Sequence, residues 1–322
     1  MDTMIACLGE ILVDFLPNEE QSRTSGFEMH PGGSPFNVAV GLARQQQPVA
    51  FVGKISNDFF GHYLRSSIEY YGIDARFIAS AEAPSTLAFV TTRGGEPVYT
   101  FYDSGAADTL LTIDDIPDAF FQETKLLHFG SISLLRGSTP DTVLEVVQRL
   151  QGHALLSFDP NIRPSLVHEE TAYRDRLQRL FQCADIVKMS AVDVAWLAPG
   201  QSVETFASHL INQGPSLIMV TQGRQPVLAI YRTTGGAVES IRLPSFQIDV
   251  KDTVGAGDAF CSGLLAWLTR RQIMTQAALQ QLSTDQLEQV LRYATANAAL
   301  TCMRPGANPP SYEELTAFLA SH

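Results

Sequence analysis

The chain has 322 residues, 45% of them hydrophobic and 17% charged, with a formal net charge of −12. That length suffices for one large α/β domain or two small ones with a sizeable core, and the composition excludes disorder and low complexity. The acidic balance, with no basic patch or stripe, argues against nucleic-acid binding, so any phosphate ligand must be held by local groups.

The start, MDTMIACLGE, lacks a basic segment followed by an apolar one, so no secretory signal is expected. MIACLG predicts a buried strand, and PFNVAVGLARQQ a helix with Ser34 as its cap and Pro35 as its first residue. VAFVG predicts a strand, and residues 58–71 a helix. LLHFGS, ALLSFD, DIVKMS and SLIMVTQG again predict buried strands, with helices near 140–151, 170–182, 191–197 and 202–213. Near the C-terminus, Leu287, Val290, Leu291, Ala294 and Ala298 recur at helical spacing. The alternation of strand and helix predicts a mainly parallel sheet with helices on both faces.

Two segments break the pattern, ILVDFLPNEEQSRTSGFEMH and STLAFVTTRGGEPVYTFYD. They predict antiparallel strands outside the main sheet, roughly over 12–30 and 86–104, with a hairpin turn at Arg93-Gly94-Gly95-Glu96. Sheet-edge decoration and a small lid over a site are both compatible with them. Cys7, Cys183, Cys261 and Cys302 lie far apart, with no C-x-x-C and no Cys/His metal spacing, so reduced core thiols are expected. No apolar run approaches the roughly 18 residues of a membrane span, so no membrane partner and a cytoplasmic setting are expected.

The segment KDTVGAGDAF follows a strand-like SFQIDV and precedes a helix-compatible AFCSGLLAWLT. Such a turn, at the end of a strand in an open α/β sheet, is where ligands bind. Gly255 and Gly257 permit close backbone approach, and the N–H groups of Ala256, Gly257 and Asp258 open a helix facing an anion. Asp258 then stands where a carboxylate can take a proton from an attacking hydroxyl, or merely caps the helix. Neither G-x-x-x-x-G-K-[ST] nor a three-glycine dinucleotide fingerprint fits the stretch. PGGSPFNVA is a second loop running into a helix, with Gly32-Gly33 and the amide of Asn37 available to a ligand. Asp14, after the first strand, can accept bonds from vicinal hydroxyls or simply be solvated.

Together these pieces resemble the ribokinase-like carbohydrate kinases, the pfkB family, over essentially the whole chain. The ordered set is CLGEILVDF, PGGSPFNVAVGLA, VAFVGKISNDFFG, LHFGS, SFDPNIRP, VKMSAVD, VTQG, DTVGAGDAF and RPGA. GEILVDFLP, TFYDSGAAD, HFGSISL and DPNIRP are most similar to fructokinases. The resemblance implies a Rossmann-like α/β fold over residues 1–322 with a β-lid that often forms a dimer interface. It implies transfer of the γ-phosphoryl group of ATP to a sugar hydroxyl with Mg²⁺, Asp258 as base, and the Gly255-Ala256-Gly257 backbone as anion hole. Asp14, Gly32, Gly33, Asn37, Tyr102 and Arg163 fall on the sugar side. Ser190, Thr221, Gly223 and Asn297 fall on the nucleotide side. Asp252, Val254, Thr301, Arg304 and Gly306 fall on the loop that holds a monovalent cation in potassium-activated relatives.

Several positions depart from the family pattern. Its N-x-x-E reads Ser190-x-x-Asp193, which leaves Asp193 at most an indirect role toward Mg²⁺. Pro226, Ser56 and Pro310 replace usual residues, and Thr295 takes the place of an adenine-side asparagine, with Asn297 two positions on. Asp103 stands where many fructokinases and ketodeoxygluconate kinases carry arginine; it cannot pair with a sugar-acid carboxylate and is expected to repel one. Fructose is the expected substrate. Another neutral sugar, 2-keto-3-deoxygluconate, or an inactive sugar-binding regulator are the alternatives.

Overall fold

The computed structural model describes residues 4–20, 23–93 and 96–322. The first half of the chain contains β1 (Met4–Leu8), β2 (Leu12–Glu20), β3 (Arg23–Gly32), α1 (Ser34–Arg44), β4 (Val49–Ser56), α2 (Phe59–Tyr70) and β5 (Asp74–Ala81). Then come β6 (Leu87–Arg93), β7 (Glu96–Tyr102), α3 (Asp118–Glu123), β8 (Thr124–Gly130), α4 (Thr139–Leu150) and β9 (Leu155–Asp159). The second half contains α5 (Glu170–Cys183), β10 (Ile186–Ser190), α6 (Ala191–Leu197), α7 (Val203–Leu210), β11 (Leu217–Gln222), β12 (Gln225–Arg232) and β13 (Val238–Leu243). Four helices close it: α8 (Ala256–Arg270), α9 (Gln276–Gln280), α10 (Thr284–Cys302) and α11 (Tyr312–Ser321).

Nine strands form one sheet in the order β13-β12-β11-β10-β9-β8-β1-β4-β5. All neighbours from β11 to β5 run parallel, and β12 and β13 extend the sheet as an antiparallel hairpin. The parallel strands read as continuous apolar runs because helices cover both faces. Ile5, Cys7, Phe51 and Leu126 pack toward α1, α2, α8 and α10 on one side. Ala6, Leu8, Leu127 and Phe129 pack toward α3, α4, α5, α6 and α7 on the other. Helix α8 is buried almost all round, pressed between α1 and α10.

A second sheet of four strands, in the order β3-β2-β6-β7, stands apart from the first. Its strands fall on the two segments that broke the alternation. Both hairpins are antiparallel as expected, but β2 and β6 pair parallel, because the chain returns to this sheet only after passing through β4 and β5. Gly94 and Gly95 of the expected turn lie outside the described residues, as do Met1, Asp2 and Thr3.

Other expectations shift locally. Ser34 does not cap α1: Gly33 holds the cap position, and the Ser34 hydroxyl donates elsewhere, to Asp258. SFQIDV is not a strand. Pro244 follows the end of β13 and residues 244–255 run irregularly into α8. The helix expected over 202–213 is α7 followed by a short 3-10 turn at Ile211–Gln213. Among the described residues, no helix is long and apolar enough to cross a membrane.

Candidate active site

The chain lays down β1, β4 and β5 in one direction, then returns to place β8, β9, β10 and β11 on the other side of β1. Ligand crevices in open α/β sheets form at such a reversal, beyond the carboxyl ends of the strands. Here the segments following β1 and β8 are tied together by Glu10. Its carboxylate accepts from the backbone N–H of Ser133 at 3.1 Å, from that of Ser34 at 3.2 Å, and from the Ser133 hydroxyl.

A polar cleft of about 240 Å³ opens at this point. Glu10, Asp14, Gly33, Asn37, Phe101, Asn161, Arg163, Gly255 and Asp258 are among its lining residues. Asp258 is the third residue of α8 and is only 8% exposed. It does not cap its own helix. Its two oxygens accept from the Ser34 hydroxyl at 2.7 Å and the Asn37 amide at 2.8 Å, which aims the carboxylate at the start of α1. Burial pushes its pKa up, and the bonds from Ser34 and Asn37, with the Lys188 charge, pull it back down.

The other two carboxylates titrate near neutrality. Burial, then the Asp258 charge, pushes Asp14 up to about 7, against the pull of Arg163. Burial also pushes Glu10 up to about 7, opposed by its serine partners. Arg163 is held by Asn161, its guanidinium donating to the Asn161 side-chain oxygen at 2.7 Å. Gly32 is not among the cleft-lining residues; it packs against Asp14 so closely that a Cβ would strike the carboxylate.

A second cleft, of about 390 Å³ and largely apolar, lies on the other side of the α8 start. Thr221, Gly223, Phe246, Ile248, Ala256 and Thr295 are among the residues that line it. Thr253 and Gly257 line both clefts, so the first turn of α8 forms the wall between them. Gly255 makes that turn possible. Its φ of 72° is left-handed, and a Cβ there would lie 2.5 Å from the Ala307 Cβ. The Ala256 N–H donates to the Thr253 carbonyl at 3.2 Å, and the N–H groups of Gly257 and Asp258, with the helix dipole, suit an anion passing from one cleft to the other.

The turn is anchored from behind. The Lys251 and Asp252 N–H groups donate to the Cys302 carbonyl at 2.9 and 3.2 Å. The Asp252 carboxylate accepts from the N–H of Val254 at 3.0 Å and of Gly306 at 2.8 Å. The Arg304 N–H donates to the Thr301 carbonyl at 3.0 Å.

The family model for the pfkB family carbohydrate kinases matches residues 2–314. A fructokinase from Rhizobium leguminosarum bv. trifolii is 34% identical over 289 residues, covering 90% of this chain and 86% of that protein. The crystal structure of a fructokinase with bound ATP from Xylella fastidiosa superimposes with a TM-score of 0.91 at 30% identity, covering 100% of this chain and 99% of that one. A fructokinase from Vibrio cholerae O395, solved with fructose, ADP and calcium ion, gives a TM-score of 0.83 at 25% identity, with 98% of this chain and 99% of that one covered. The chain belongs to the pfkB family of carbohydrate kinases. Its chemistry is ATP-dependent phosphorylation of a sugar.

The structure of this kinase gathers Asp14, Gly33, Asn37, Arg163, Gly255 and Asp258 around the polar cleft, and Thr221, Gly223 and Ala256 around the apolar one. Other expected residues lie elsewhere. Tyr102 is 63% exposed and packs edge-on to Phe89; its neighbour Phe101 lines the polar cleft instead, because adjacent strand residues face opposite ways. Asn297 is fully buried between α8 and α10, its amide donating to the Ala259 carbonyl at 2.7 Å and the Ser262 hydroxyl at 3.1 Å. Thr295 lines the apolar cleft in its place, and its hydroxyl has no partner among the described residues.

Ser190 and Asp193 are engaged by the start of α6 and by the loop after β9. They form a reciprocal capping box, and the second Asp193 oxygen accepts from the Ile162 N–H at 2.8 Å. Among the described residues, no group of three or more His, Cys, Asp or Glu could hold a metal. Asp103 is not an open carboxylate either, because Arg136 pairs with it. Glu10 and Lys188 escaped the sequence reading, and Ser34 entered it only as a helix cap. Glu10 carried a signal, a carboxylate directly beyond a fully buried strand; so did Lys188, a lone cation inside the apolar run IVKMS.

Proposed function

We propose that this kinase transfers the γ-phosphoryl group of ATP to a hydroxyl of fructose, with Asp258 as the base. The observation that carries the reading is the place of Asp258 at the start of α8, on the wall between a polar cleft and an apolar one. The sugar takes the polar cleft, with its hydroxyls toward Asp14, Asn37 and Arg163. The adenine end of ATP takes the apolar cleft beside Phe246 and Thr295, with its phosphates pointing at the α8 N-terminus. Asp258 removes the hydroxyl proton, and the N–H groups of Gly257 and Asp258 receive charge on the transferring group.

The cleft disfavours a sugar acid through Glu10, Asp14 and Asp258, three carboxylates against the single guanidinium of Arg163. Mg²⁺ bound with the nucleotide phosphates would neutralise part of their charge. With both Asp193 oxygens occupied, Ser190 and Asp193 would reach it only through water. The loop of Asp252, Val254, Thr301, Arg304 and Gly306 is the proposed seat of K⁺, which would stiffen the α8 start from behind. That reading is supported by the Vibrio cholerae O395 fructokinase, a double mutant of which was solved with fructose, ADP and potassium ion.

The test is ADP release against a sugar panel, with and without K⁺, beside Asp258→Asn. Fructose-dependent turnover that falls roughly 10²–10⁴-fold in the variant, with sugar binding retained, is expected. Turnover with a different sugar replaces the substrate and keeps the mechanism. Sugar binding without turnover favours a regulator.

A further inference from the structure

Lys188 sits in β10, a strand flanked on both sides, and is 4% exposed. Its Nζ lies 2.8 Å from the Asp159 carboxylate, which is 2% exposed at the end of β9. Burial alone would lower the lysine pKa. Asp159 outweighs it, with smaller contributions from Cys261 and Asp193, and the ammonium is held above the ordinary lysine range. Lys188 is therefore a fixed internal positive charge. Stability is a weak reason to keep one, since a buried ion pair is often no better than well-packed apolar residues.

The neighbouring glycine points to a use. Gly257 does not have a left-handed φ, so its backbone conformation does not require glycine. Space does: a Cβ at this position would lie 2.7 Å from Lys188 Nζ. Gly257 also lines both the polar and the apolar cleft. Its missing side chain leaves a gap in the dividing wall, and the ammonium stands directly behind that gap. Lys188 itself is not among the lining residues of either cleft, so its action is through its field.

We propose that Lys188, held by Asp159, is a positioning charge that stabilises the phosphoryl group in transit through the gap at Gly257. The proposal rests on the kinase reading of the same site. In the step, the sugar O–H bond breaks and its proton passes to Asp258. The sugar oxygen forms a bond to phosphorus, and the bond from phosphorus to ADP breaks with its electron pair leaving on ADP. Lys188 keeps its proton throughout. Charge spread over the equatorial phosphoryl oxygens is what its field favours, more in the transition state than in bound ATP.

Two variants test this. Lys188→Met combined with Asp159→Asn removes the pair without leaving an unpaired buried charge. Gly257→Ala keeps the charge but presses it back, and only the flexible end of the lysine must move. Both are expected to lower kcat roughly 10–100-fold, with KM for sugar and ATP within about threefold of wild type. Affinity for ADP with aluminium fluoride and sugar should fall by a similar factor, while affinity for ADP alone holds. A merely structural role would instead lower the melting temperature and raise KM, leaving the ratio of the two affinities unchanged, and would overturn the proposal. If the double variant does not fold, Gly257→Ala decides: unchanged kcat overturns the proposal. Wild-type turnover with unaffected variants sinks this inference alone. Absence of wild-type turnover with every sugar overturns the reading of the site and the inference with it.

Discussion

Asp258, Asp14 and Glu10 place three carboxylates in one small cleft, and burial raises the pKa of all three. A carboxyl whose folded pKa is raised binds its proton more tightly in the folded state. Its contribution to stability is fully present below the unfolded value near 4 and is lost as pH rises through the folded value of about 7. The ligand-free enzyme should therefore lose stability between about pH 4 and pH 7. Asp108 and Asp185, each raised to about 6, add to the same fall. Glu10→Gln removes one of these groups, so its melting temperature should decline less steeply with pH than that of wild type. Parallel profiles would show that Glu10 stays ionised in the folded protein. Of these residues, Asp258 and Asp14 were legible in the sequence from their neighbours. Glu10 was not, because its partners at Ser34 and Ser133 are 24 and 123 residues away.

At the scale of elements, the start of α8 is the feature on which the site depends. Gly255 adopts a left-handed conformation against Ala307, while Asp252 bonds the N–H groups of Val254 and Gly306 and so fixes the approach to the helix. Gly255→Ala combines a strained φ with a close contact to the 306–308 turn. We expect a loss of roughly 2 kcal/mol in unfolding free energy. We also expect a fall in kcat larger than any change in KM, because the N–H groups and Asp258 move together. Denaturant melts and steady-state kinetics on the same preparation check both. The sequence marked this helix start but misread what precedes it. SFQIDV has strand composition, yet it follows Pro244 and lies along the apolar cleft, where Phe246, Ile248 and Val250 are lining residues. Its apolar side chains face a cavity rather than a neighbouring strand.

For the whole molecule, the four-stranded sheet raises the question of assembly. Phe15 and Phe89 stack at 4.6 Å, and Phe27, 39% exposed, packs edge-on to Phe89 at 5.2 Å. Among the described residues, the outer strands β3 and β7 end the sheet with unpaired edges, a feature that proteins cover or blunt. We propose that a second copy of the chain covers this sheet. Sedimentation should then give twice the 35.2 kDa of one chain, and Phe27→Glu should shift the population toward the single chain. A wild-type protein that sediments as one chain at all concentrations removes the proposal.

The sequence by itself determined the alternation of buried strands and amphipathic helices and the glycine-rich start of α8. These follow from local patterns: continuous apolar runs mark covered strands, and glycines followed by an acid mark a helix start. Only the tertiary structure decided which side chains meet. It brought Ser34 and Asn37 to Asp258 across more than 220 residues, turned Phe101 rather than Tyr102 into the cleft, and took Ser190, Asp193 and Asn297 for internal bonds. It also set Lys188 behind Gly257. The physical reason is the same in each case. A hydrogen bond or a charge acts over a few ångströms in space, and the separation of its partners along the chain carries no trace of that distance.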